Sequence, residues 1–120
     1  MIRTTSFLTV AAAASAACVL AVATPAAAHY GSAFVKAADG TLLGSIWASY
    51  DHTRGAVCDE KADGVGVYGR FKVTGGKIYD VADGDGANGS CYEFNAPTGT
   101  VITQIEVVWR GGRTSGWQSA

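Results

Sequence analysis

The chain has 120 residues, nine basic and ten acidic side chains and a formal net charge of −1. That balance leaves no basic patch to hold nucleic acid or an anionic membrane. The length suits one domain, not two.

The first 28 residues read as a segment apart. Met1 to Ser6 carries one positive charge, Arg3, and no acid, and Phe7 to Val22 is uncharged and rich in Ala. Thr24-Pro25 breaks the apolar run, and Ala26-Ala27-Ala28 is a small-residue cleavage site. This pattern predicts a cleaved, helical secretory signal peptide over residues 1–28. The apolar run is shorter than the ~20 residues a spanning helix needs and lacks a basic flank. Cys18 lies inside the run, the wrong place for a lipidated N-terminus.

Export would leave a single β domain, His29–Ala120, of roughly 90 residues. A core this small is marginal, and a covalent brace is expected. Cys58 and Cys91 are the two thiols left, so one intramolecular disulfide is possible in an oxidising compartment. Closing that loop should stabilise the fold by about 3–4 kcal/mol in the chain-entropy model.

The elements follow in chain order. Ala33 to Lys36 reads as a short strand and Ala38-Asp39-Gly40 as a turn. Thr41 to Tyr50 alternates: Leu42, Gly44, Ile46, Ala48 and Tyr50 on one face, Leu43, Ser45, Trp47 and Ser49 on the other. Ile46 and Tyr50 are assigned inward, Trp47 to the less apolar side. Val57-Cys58-Asp59 is a short strand. Val65 to Val73 places Val65, Val67, Gly69, Phe71 and Val73 in the core, with Gly66, Tyr68, Arg70 and Lys72 toward water. Gly75-Gly76 joins it to Lys77–Val81 as a hairpin with a primed two-residue turn, which requires positive φ. Ala82 to Ser90 is a loop, and Cys91 to Asn95 a strand with Tyr92 and Phe94 on one side. Thr100 to Arg110 is the last long strand, with Val101, Thr103, Ile105, Val107 and Trp109 read as its core face. Arg113 to Ala120 is a polar tail with Trp117 as its anchor. About seven short strands and no helical period predict an all-β fold, a small antiparallel sandwich or open barrel. Ala-Asp-Gly recurs at residues 38, 62 and 82. The surroundings do not match, so this is repeated turn chemistry and not an internal repeat.

Three sets of residues carry chemical ideas. Cleavage after Ala28 would expose His29, whose amine and ring can chelate one metal, with His52 as a further ligand. In this the N-terminus resembles exported copper proteins, the lytic polysaccharide monooxygenases and the small periplasmic copper carriers of β-sandwich fold. The resemblance is confined to His29 and His52. Asp80, Asp83, Asp85 and Asn88 place oxygen ligands on a glycine-rich stretch that suits calcium. The stretch departs from the EF-hand pattern, with Ala87 in a ligand position and no closing glutamate. The bland alternative is a polar loop. Trp47, Trp109 and Trp117 are candidate binding aromatics, able to stack sugars or grip a protein.

No serine nucleophile elbow and no free catalytic cysteine is present. No spacing unites two carboxylates for glycoside hydrolysis. The chain therefore reads as a non-enzyme with no cofactor.

Val57-Cys58-Asp59, then Ala62-Asp63-Gly64-Val65-Gly66-Val67-Tyr68, Cys91 and Ser115-Gly116-Trp117 carry a further likeness. The chain resembles a group of small secreted proteins of streptomycetes and related actinobacteria with the pattern V-C-D-x-x-A-D-G-x-G-V-Y. The group implies the fold and an extracellular location but no activity. It also implies a second cysteine pair near the C-terminus. The matching places here are Val108 and Thr114, which leaves the tail without that brace. The expectation is a secreted, monomeric binding protein whose partner is an extracellular protein or glycan. A metal-binding protein is the second reading. A small toxin or inhibitor presenting Asp51–Gly55 is the third.

Overall fold

A computed structural model describes residues 30–83 and 91–120. They form nine strands: β1 (Gly31–Lys36), β2 (Leu42–Ala48), β3 (Arg54–Asp59), β4 (Val67–Val73), β5 (Ile78–Asp83), β6 (Cys91–Asn95), β7 (Ile102–Trp109), β8 (Arg113–Thr114) and β9 (Gln118–Ser119). One sheet runs β1-β2-β3-β6. The other runs β5-β4-β7-β8, with β9 pairing farther along β7. Every pairing is antiparallel. The fold is thus all-β and antiparallel as the sequence predicts; of the two expected forms, sandwich or open barrel, it is the sandwich, with nine described strands instead of about seven.

Apolar residues at alternate positions drive the two sheets together. Phe71, Ile46, Val57, Val67, Ile102, Ile105 and Val107 have no exposed surface. Phe71 of one sheet stacks on Phe94 of the other, with ring centroids 4.6 Å apart, and Tyr79 packs against the same Phe94 ring at 5.3 Å. Two glycines make this close approach possible. A Cβ on Gly55 would lie 2.6 Å from Phe71 Cε1, and one on Gly69 would lie 2.9 Å from Ile46 Cδ1 and Val57 Cβ.

Four details differ from the period-two reading. In β2 the register passes from Val35–Gly44 to Lys36–Leu42, which leaves Leu43 as an extra residue. Such a bulge turns consecutive residues to one face, and Leu43 is buried instead of facing out. In β7 the pairs Lys72–Gln104 and Val73–Ile102 leave Thr103 extra. Ile102 therefore enters the core, whereas Val101 is 40% exposed. The β4–β5 hairpin has a three-residue loop, not a two-residue one. Val73 N donates to Lys77 O and Gly76 N to Val73 O, both at 2.9 Å, with Gly75 and Gly76 at φ 93° and 90°. Finally, β2 ends at Ala48 and the chain turns over Ser49–His52 (His52 N donates to Ser49 O, 2.9 Å). Tyr50 is thereby turned outward and is 64% exposed.

The tail is part of the sandwich. Its β8 and β9 pair with β7, and Val108 sits directly opposite Thr114. Ala120 is buried, donates its N–H to Thr103 O at 3.1 Å and lies so close to Gly31 that a Cβ there would meet its carbonyl carbon at 2.5 Å. The outer face of β4 is half-covered, not open to water. Arg70 reaches Asp80 at 3.1 Å and Glu106 at 3.5 Å, its direct neighbours on β5 and β7. Trp117 covers Arg70 and Lys72, at 5.4 and 4.6 Å from its ring centroid.

Candidate functional site

Cys58 and Cys91 face each other across β3 and β6 with Cα atoms 4.4 Å apart, and they form the disulfide. Direct cross-strand opposition supplies the approach a disulfide needs.

The three tryptophans go to three places. Trp109 donates from Nε1 to Asp63 Oδ2 at 3.3 Å and packs its ring on Gly111. Trp117 lies under the cations of β4. Trp47 sits on the outer face of the four-stranded sheet, where it meets other aromatics. Tyr30 stacks on it at 5.8 Å with an interplanar angle of 11°, and Tyr50 packs on Tyr30 at 5.3 Å. Tyr30 and Tyr50 are each more than half exposed, and Phe34, farther along the same side of β1, is 53% exposed. Trp47 is half-buried, but Tyr30, Phe34 and Tyr50 leave more than half of their surface open, although aromatics in so small a domain normally serve the core.

The turn that carries Tyr50 is held by Asp51. Its Oδ1 accepts from Ser49 Oγ (2.7 Å), Thr53 N (3.1 Å) and Thr53 Oγ1 (2.8 Å). The hydrogen bonds from Ser49 and Thr53 pull its carboxyl pKa down to about 2. His52 adopts φ 61°, and its carbonyl accepts from Ile102 N at 2.7 Å, which ties the turn to β7. A fixed turn presents Tyr50 without an ordering cost on binding. Polar groups border the rings: Ser32 lies opposite Trp47, and Ser45 lies opposite Phe34 and donates to Glu60 Oε2 at 2.6 Å. Tyr30 and Tyr50 were legible only as a lead-in and a core residue. A signal for Tyr50 existed in Asp51-His52-Thr53, a turn-forming run that ends β2 before it.

The proposed metal ligands are less convergent. His29, Asp85 and Asn88 lie outside the described residues. Asp80 and Asp83 are three apart on β5 and so point to opposite faces. Asp80 pairs with Arg70 outside, whereas Asp83 is 1% exposed and accepts from Asp59 N at 2.9 Å. The two therefore do not share one site. Among the described residues, no group of three or more His, Cys, Asp or Glu side chains is placed to hold a metal ion.

Asp59 is itself buried. Burial raises its pKa above the ordinary 3.8, opposed by the Lys61 N–H and reinforced by Asp63, Asp83 and Glu60. A raised folded-state pKa means that the neutral form favours folding. That contribution is fully present below the unfolded value of 3.8 and is lost as pH rises through the folded one. Asp59→Asn keeps an acceptor for the Lys61 N–H but cannot ionise. It is expected to raise the melting temperature at about pH 7 by a few degrees and to lose that advantage at about pH 3.5. Thermal melts of both proteins at the two pH values check this.

No family model matches the chain, and no curated protein or solved structure matches it.

Proposed function

We propose that the protein is a small secreted, non-enzymatic binding protein that contacts an extracellular protein or glycan through the outer face of its four-stranded sheet. The observation that carries this reading is the Tyr30–Trp47–Tyr50 cluster, in which Tyr30 packs on both Trp47 and Tyr50 on a rigid sheet while Tyr30 and Tyr50 themselves stay more than half exposed. Planar rings bury large area on binding at low entropic cost, which is why aromatics concentrate at recognition sites. The disulfide supports an oxidising compartment, and the signal-like residues 1–28 support export.

Trp47→Ala combined with Tyr50→Ala is expected to abolish capture of the protein by its ligand, with the melting temperature nearly unchanged. Trp47 is half-buried and Tyr50 exposed, so any large loss of stability would point to a structural role. The assay is retention of the purified protein on cell-wall material and on immobilised culture-medium proteins. Equal retention of wild type and double variant on every material would remove this face as the binding surface.

A further inference from the structure

The opposite sheet carries a second feature with no part in that reading. β5, β4 and the end of β7 enclose an open depression of about 250 Å³ lined by Tyr68, Asp80, Ala82 and Arg110. We infer that this depression is a binding site for a sugar acid, with Arg110 holding the carboxylate and Asp80 accepting from the hydroxyls.

Arg110 is held in place before any ligand arrives. Its backbone N–H donates to Gly66 O at 2.9 Å, and its side chain lies across Gly66, where a Cβ would meet Nε at 3.4 Å. The guanidinium carbon sits 4.9 Å from the Tyr68 ring centroid. A guanidinium over an aromatic face is attracted by the ring, and its N–H groups can still donate outward. The ion pairs formed among the described residues are those of Arg70, so Arg110 has no carboxylate partner there. A planar guanidinium matches a carboxylate in bidentate geometry.

The other walls narrow the ligand. Asp80 is directly opposite Arg70 and engages it through Oδ1 at 3.1 Å. A carboxylate has about four acceptor positions, so capacity remains for hydroxyl donors. The same negative charge disfavours a dianionic phosphate more than a singly charged carboxylate. Ala82, the direct neighbour of Tyr68, and the Tyr68 ring supply a small apolar floor for C–H groups. One cation, one acceptor-only carboxylate and a small apolar floor together describe a hydroxylated carboxylate.

The test is a two-dimensional ¹⁵N NMR titration that includes the arginine Nε–H signals, using glucuronate, glucose and acetate as separate probes. Glucuronate is expected to give saturable shifts at Tyr68, Ala82 and Arg110. Acetate and glucose should bind about tenfold more weakly, since each lacks one half of the contacts. Arg110 is exposed, so Arg110→Gln should leave the spectrum folded and weaken glucuronate by about tenfold or more. Arg110→Lys, which keeps the charge but not the fork, should fall between. Absence of saturable shifts, equal affinity in Arg110→Gln, or equal affinity for acetate or glucose each overturns the assignment. Loss of Trp47 leaves this site intact, so the two sheet faces are tested independently.

Discussion

Replacing both Cys58 and Cys91 with serine is expected to lower the unfolding free energy by about 3–4 kcal/mol, from the loop-closure entropy of a 33-residue separation. A domain of this size has only about 5–15 kcal/mol in all. The melting temperature should therefore fall by roughly 15–25 °C. The position of the bond adds a local effect. β6 is an edge strand of five residues, paired with β3 on one side, and of these only Phe94 is buried. Apart from the bond, β6 relies on its pairing with β3 and on the packing of Phe94 on Phe71 and Tyr79. Without the bond, amides of β6 should lose hydrogen-exchange protection before those of β4 and β7. Urea unfolding of the double serine variant measures the global cost. A change below about 1 kcal/mol would contradict the role given to this bond. Changing both cysteines avoids leaving a reactive thiol in the comparison.

What the sequence made legible was local. The alternation Val67, Gly69, Phe71, Val73 has no interruption and its inward face is buried as read. Cys58 and Cys91, the two cysteines outside residues 1–28, left one pairing. The first two Ala-Asp-Gly copies behave as turn chemistry. Asp39 Oδ1 accepts from Thr41 N and Asp63 Oδ1 from Val65 N, each at 2.9 Å, and the following Gly40 and Gly64 take φ 90° and 75°. The third copy does not repeat this, because Asp83 ends β5 and turns into the interior to accept from Asp59 N. The same three residues serve a turn in one place and a buried anchor in another. Partner strands decide which, and they are remote in sequence. The bulges at Leu43 and Thr103 have the same origin. Each is defined by a neighbour, β1 for one and β4 for the other, so period two alone reads straight through them. The candidate site was half legible for a related reason. Trp47 alternates correctly, but Tyr30 joins it across a strand pair and Tyr50 from beyond a turn.

Phe71→Ala is the core substitution with the largest expected effect. The ring is fully buried on the central strand β4, stacked on Phe94 and pressed against the backbone at Gly55. Truncating a buried Phe to Ala typically costs about 3–5 kcal/mol, the transfer term plus the cavity that remains. Collapse onto that cavity is restricted here, because the atoms around it are held by two hydrogen-bonded sheets. Gly55 cannot fill it. A Cβ at Gly55 would still lie 2.5 Å from Trp47 O whether or not the Phe71 ring is present. Adding Gly55→Ala to Phe71→Ala should therefore worsen stability. Phe71→Leu, which keeps most of the volume, should cost less, about 1–2 kcal/mol. Equilibrium urea curves of the four proteins check this order. If Gly55→Ala rescued Phe71→Ala, the Trp47 carbonyl would have to move, and with it the strand that presents Trp47 on the outer face. Loss of ring stacking between Tyr30 and Trp47 in the near-ultraviolet circular dichroism of that double variant would then connect the core to the binding face.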